Sequence, residues 1–85
     1  MKLFYKPTAV KQLKKLPLKE QRKVLKKIVL IFEDPYSGKQ LKGELADLRS
    51  IRAWPYRIIY ELGSNSVIIY SIAHRQSAYK GKDVY

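Results

Sequence analysis

The apolar positions of this chain are spaced as one short strand, two helices and then three strands. Met1 to Tyr5 is apolar and aromatic and reads as a first strand. Pro7 suits the opening turn of a helix, where its missing N–H costs nothing. Val10, Leu13 and Leu16 then recur every three residues, and the stripe stops at Leu16-Pro17 because the residue before a proline is pushed out of the helical region. From Leu18 a longer helix follows, with Gln21, Leu25, Ile28, Val29 and Phe32 on one face and Lys19, Arg22, Lys23, Lys26 and Lys27 on the others. The break between the helices is so short that they must form an antiparallel hairpin.

Glu33-Asp34-Pro35 ends the second helix, and Tyr36-Ser37-Gly38-Lys39 reads as a turn. Leu41-Lys42-Gly43 and Leu45 lead into Leu48–Tyr60, which reads as two strands joined by a tight turn carrying Trp54 and Pro55. Gly63-Ser64-Asn65-Ser66 is the next turn, and Val67–Ala73 has the β-branched run of a buried strand. This order predicts an α+β fold in which the last three strands form an antiparallel meander and the helical hairpin covers one face of a four-stranded sheet. Tyr5, Tyr60 and Tyr70 are the tyrosines expected in its core. Residues 1–85 are expected to form a single domain whose basic tail, 74–85, carries site residues.

Composition narrows the function. The 85 residues include no cysteine, which removes disulfides and thiolate metal sites and fits a cytoplasmic location. No apolar run is long enough to cross a membrane. Eighteen Lys and Arg against seven Asp and Glu give a net charge of +11, which attracts polyanions and favours phosphate contacts by counterion release. The same excess also serves solubility or an acidic protein partner. Ten of the basic residues fall in the first 27 positions, where Glu20 is the one acid; this run could track a phosphate backbone, but a charged run on a helix is more often its solvated face.

Most enzyme chemistries lack their residues here. One histidine and no cysteine leave no His/Cys metal cluster, and no glycine-rich phosphate loop is present. The acids are scattered, and no strand-to-helix elbow presents a serine to His74. Arginine, lysine, tyrosine and one histidine remain. That set suits RNA cleavage by the substrate's own 2′-hydroxyl, because the substrate supplies the nucleophile. Guanidinium forks match phosphate oxygens and stabilise a phosphorane-like transition state, while an aromatic ring stacks on a splayed base. Arginine is a poor proton donor in water, so such an enzyme depends on substrate positioning by another body. No cofactor or metal is implied.

The ordered set Leu16-Pro17, Asp34-Pro35 with Gly38, Leu41-Lys42-Gly43, Ile51-Arg52, Tyr56-Arg57-Ile58-Ile59-Tyr60, and His74-Arg75 followed by Tyr79 resembles the RelE/ParE toxin superfamily of bacterial type II toxin–antitoxin systems. It is more similar to the RelE-like mRNA interferase branch, and the resemblance spans almost the whole chain. It implies a ribosome-dependent endoribonuclease that cuts mRNA in the ribosomal A site and is silenced by a cognate antitoxin from an adjacent gene. By that resemblance Arg57 contacts the scissile phosphate, Arg75 serves the leaving group, Tyr79 stacks on or orients the substrate, and Arg52 is a basic position of the preceding strand. The family often has basic–apolar–basic on that strand, whereas this chain has Ser50-Ile51-Arg52. Arg49 is the nearest substitute, but strict alternation points it away from Arg52 unless a bulge intervenes. Trp54-Pro55 is a second departure.

Each residue also has a plainer reading. Arg57 sits where an exposed strand arginine is expected anyway, since Tyr56, Ile58 and Tyr60 alternate with Arg57, Ile59 and Glu61. Arg52 is divided between a phosphate contact and pairing with Glu61. Tyr79 could cap the core, and His74 is either a general acid or a structural hydrogen-bonding group. Trp54 stacks on RNA or packs on a neighbour. Lys42, Lys80 and Lys82, with Arg49 and Trp54, complete the expected RNA-contacting set. The ParE branch of the same superfamily, whose members poison DNA gyrase without nuclease chemistry, and an inactive RNA-binding relative are the alternatives.

Overall fold

The computed structural model describes residues 2–74. The elements are β1 (Lys2–Tyr5), α1 (Pro7–Lys15), α2 (Leu18–Glu33), β2 (Lys39–Gln40), a short 3-10 turn (Gly43–Leu45), β3 (Leu48–Ala53), β4 (Tyr56–Gly63) and β5 (Ser66–His74). They form an α+β fold, with the two helices on one face of a mixed sheet ordered β1-β5-β4-β3-β2. β1 lies parallel to β5, and every other neighbour is antiparallel. The helical hairpin and the three-strand meander fall where the hydrophobic pattern places them.

The sheet has five strands rather than four. Lys39–Gln40, the extra strand, pairs with Ser50 and Arg49 along the outer edge of β3. Two residues are too few to show an alternating pattern, so only pairing with β3 defines this strand. The Leu41 N–H donates to Leu48 O at 2.9 Å and continues the ladder past it.

Pro7 stands at the first turn of α1 as expected, and Leu16-Pro17 separates the helices. Gln21 ties them together there, its amide donating to Leu16 O at 3.1 Å. The buried face of α2 differs from the one the sequence suggests. Val24, Ile28 and Ile31 are buried, whereas Leu25 and Val29 are 39% and 55% exposed. Both Val24/Ile28/Ile31 and Leu25/Val29/Phe32 follow the i, i+4, i+7 rule, one set rotated by a single residue from the other. The sheet takes the first, and only Phe32 of the second packs against the core.

On the sheet side the core comprises Ala53, Ile58, Tyr60, Val67, Ile69 and Ile72, met by Ala9 from α1. Tyr60 is fully buried, while Tyr5 packs at the edge of the core. Tyr70 is not a core residue: it is half-buried, because the β4–β5 register shifts between Ile59 and Tyr60 and leaves Tyr70 as the extra residue. β1 pairs with β5 only as far as Ile69. Beyond that point Gln12 of α1 accepts the Ile72 N–H at 2.6 Å, supplying a partner that no strand provides. The Ser64-Asn65 turn is left-handed at Asn65 (φ 55°), a conformation asparagine tolerates.

Candidate functional site

Strand alternation sorts the candidate residues onto two faces. In the β3–β4 pair Arg52 lies directly opposite Arg57, Ser50 opposite Ile59, and Leu48 opposite Glu61. On β5, Ala73 faces Arg57 and Ser71 faces Ile59. These residues share the face turned away from the helices. Ile51, Ile58 and Ile72 form the intervening row on the helix side, with Ile58 and Ile72 in the core and Ile51 packed against it.

Two guanidinium groups directly opposite on one sheet face repel one another. Glu61, the partner the sequence offers Arg52, is four residues beyond Arg57 on β4, about 13 Å at the usual strand rise. Glu61 instead takes a hydrogen bond from Tyr70, and that bond, followed by burial, raises the Tyr70 phenol above its ordinary value. The register therefore places Arg52 and Arg57 side by side near the Trp54-Pro55 turn and leaves the acid at the far end. Such a pair of forks is suited to an anion that bridges it, as a phosphate does with several oxygens. Ser50, Ile59, Ser71 and Ala73 form a buried, largely small-residue floor beside the arginines. Among the described residues the buried Ser71 hydroxyl has no hydrogen-bond partner.

Arg49 is not part of this group. The β3–β4 register runs without a shift from Leu48 to Ala53, so no bulge turns Arg49 toward Arg52. It lies opposite Tyr60, donates to Gly38 O at 2.9 Å, and stacks over the Tyr36 ring at 4.9 Å. The same cluster fixes the loop after α2. The Tyr60 hydroxyl donates to Pro35 O at 2.7 Å and accepts the Gly38 N–H at 2.9 Å. A Cβ at Gly38 would collide with the Tyr60 phenol, which is why glycine stands there. Burial pushes the Tyr60 phenol up, opposed by the Gly38 hydrogen bond and by Arg49.

His74 lies opposite Tyr56, on the helix side of the sheet, and packs edge-on against its ring at 5.5 Å. The structure thus does not bring His74 onto the arginine face. Lys42 stands beyond β2 near the Leu48 end, away from the Trp54 turn. Trp54 is 55% exposed at the tip of the hairpin, beside Arg52 and Arg57. Arg75, Tyr79, Lys80 and Lys82 lie outside the described residues. Lys39, opposite Ser50, joins the arginine face and was not singled out from the sequence, because its two-residue strand leaves no pattern to read. Among the described residues no three His, Cys, Asp or Glu side chains are grouped to hold a metal ion. None of the described helices is long and apolar enough to cross a membrane.

Residues 3–79 match the family model described as the ParE toxin of type II toxin–antitoxin system, parDE. No curated protein matches the sequence. Among solved structures, the toxin–antitoxin complex RelBE2 from Mycobacterium tuberculosis contains a chain that is 29% identical, with a TM-score of 0.79, covering 87% of this chain and 96% of that one. The RelB–RelE antitoxin–toxin complex from Methanococcus jannaschii gives 25% identity and a TM-score of 0.73, covering 89% and 94%. The YoeB/ParE toxin from Agrobacterium tumefaciens shares the fold at 20% identity and a TM-score of 0.76, covering 87% and 98%. With a family match over nearly the full sequence and the same two-helix, mixed-sheet architecture, this chain belongs to the ParE toxin family, within the RelE/ParE superfamily, and is a toxin of a type II toxin–antitoxin system.

Proposed function

We propose that this toxin is a metal-independent, ribosome-dependent endoribonuclease that cuts mRNA in the A site and is held inactive by a cognate antitoxin. The observation that carries the reading is the Arg52–Arg57 pair, two cations directly opposite on the face away from the helices, with Trp54 at the adjoining turn. In the reaction the 2′-hydroxyl gives up its proton to solvent as its oxygen attacks the adjacent phosphorus, the P–O5′ bond breaks, a 2′,3′-cyclic phosphate forms, and the released 5′-oxygen takes up a proton from solvent. Arg57 and Arg52 hold the non-bridging oxygens and stabilise the charge that grows on them. Trp54 stacks on a neighbouring base. Arg75 serves the leaving oxygen, and Tyr79 orients the substrate. His74 is not assigned the proton, since its ring lies across the sheet from the arginines. The ribosome supplies what this small site lacks, a fixed mRNA conformation.

The test is to induce the wild type and the Arg57→Ala/Arg75→Ala double variant, then map new 5′ ends on ribosome-bound mRNA. The wild type should create cuts within translated codons, and the double variant should lose them by at least a hundredfold. Equal cutting by both proteins sinks the assignment. The family description itself favours a second reading, a ParE-like toxin that poisons DNA gyrase without cutting RNA. DNA-damage induction without new mRNA ends would select it.

A further inference from the structure

The turn between β3 and β4 is anchored from outside the sheet. Lys23 on α2 reaches it with its ammonium group, which donates to the Trp54 carbonyl at 3.0 Å. Glu20, one helical turn earlier, ion-pairs with the same nitrogen at 3.4 Å. Glu20 is the one acid in the first 27 residues, and its carboxylate lies against this lysine. The turn so held is only Trp54-Pro55, and it joins the two arginines of the site. The anchored carbonyl belongs to Trp54 itself, so its hold bears directly on how that residue is presented.

We propose that Lys23 is a positioning residue: by gripping the Trp54 carbonyl it sets the direction in which the Trp54 indole is presented to a base. This rests on the RNA-cleavage reading. Lys23 acts through the turn rather than as another phosphate contact, because Glu20 offsets its charge and one of its N–H groups donates to the carbonyl. An arginine at the position can donate to the same oxygen. A methionine keeps the apolar stem and loses the donor.

Trp54 is the sole tryptophan, so its fluorescence reports the anchor without reference to activity. In the purified chain, Lys23→Met should raise acrylamide quenching of Trp54 and lower its anisotropy, while Lys23→Arg stays close to the wild type. On programmed ribosomes, Lys23→Met should raise KM roughly five- to tenfold with kcat changed less than twofold, as loss of one base-stacking contact would. Trp54→Ala should give a similar KM, and the double variant should be no worse than Trp54→Ala alone, because both act through one contact. Lys23→Arg should restore most of the affinity. Unchanged Trp54 quenching in Lys23→Met overturns the proposal. So does a KM penalty that adds to that of Trp54→Ala, since Lys23 would then touch the RNA itself. If the quenching changes as expected but the wild-type chain neither binds nor cuts mRNA on ribosomes, the anchor stands and the cleavage reading falls.

Discussion

Tyr60 shows how much one buried side chain organises here. Its hydroxyl bridges Pro35 and Gly38, so the loop after α2 is fastened to the centre of the sheet. Tyr60→Phe removes a donor and an acceptor at once and strands the Gly38 N–H, which should cost about 1–3 kcal/mol in urea unfolding. The pH dependence has a definite sign. The folded phenol is raised above its ordinary value of 10.0, so its stabilisation is fully present below that pH. Above it the unfolded chain ionises first, and the stabilisation is lost as pH rises through the folded value. The gap between wild type and Tyr60→Phe should therefore narrow from pH 9 upward past pH 10. A gap that widens with pH would show that the phenol is not held neutral. That Tyr60 belonged in the core was legible from its place in an apolar strand. Its polar partners were not, because they stand 22 and 25 residues away in sequence.

At the scale of the element, β3 and β4 set two like charges opposite one another, Arg52 and Arg57. A sheet designed only to be stable would set an acid opposite Arg57, and this one sets Arg52 there. Arg52→Gln should accordingly leave the thermal midpoint unchanged or raise stability by about 0.2–1 kcal/mol, while mRNA cleavage falls. A loss of stability well beyond that range would mark Arg52 as structural. The alternation of β3 was readable from its sequence, including the warning that Arg49 and Arg52 diverge without a bulge. Whether a bulge existed was not readable, because a bulge is a property of the pairing. One does occur in the sheet, between β4 and β5, where it displaces Tyr70 from the core and turns it toward Glu61.

Across the whole molecule, the net charge of +11 and the exposed basic residues of α1 and α2 define what the toxin attracts. A cognate antitoxin should be acidic where it meets these helices, with apolar residues to cover Leu25 and Val29. Co-expression with the product of the adjacent gene should yield a stable complex. At a hundredfold excess over Kd, that partner should stabilise the fold by about 2.7 kcal/mol, and less as salt is raised. A complex indifferent to salt would remove charge as the basis of recognition.

The sequence by itself determined the two helices, the break at Leu16-Pro17 and the meander. Those features are local: proline geometry, the helical and strand periods, and the composition of each segment act within a few residues. The tertiary structure decided which of two equivalent stripes of α2 is buried, that Lys39–Gln40 is a strand, and that Arg52 stands against Arg57 while Arg49 and His74 face the other way. It also decided that Lys23 reaches the Trp54 carbonyl. Register and packing are relations between distant segments, and a periodic pattern leaves them open because a shift of one residue satisfies it equally well.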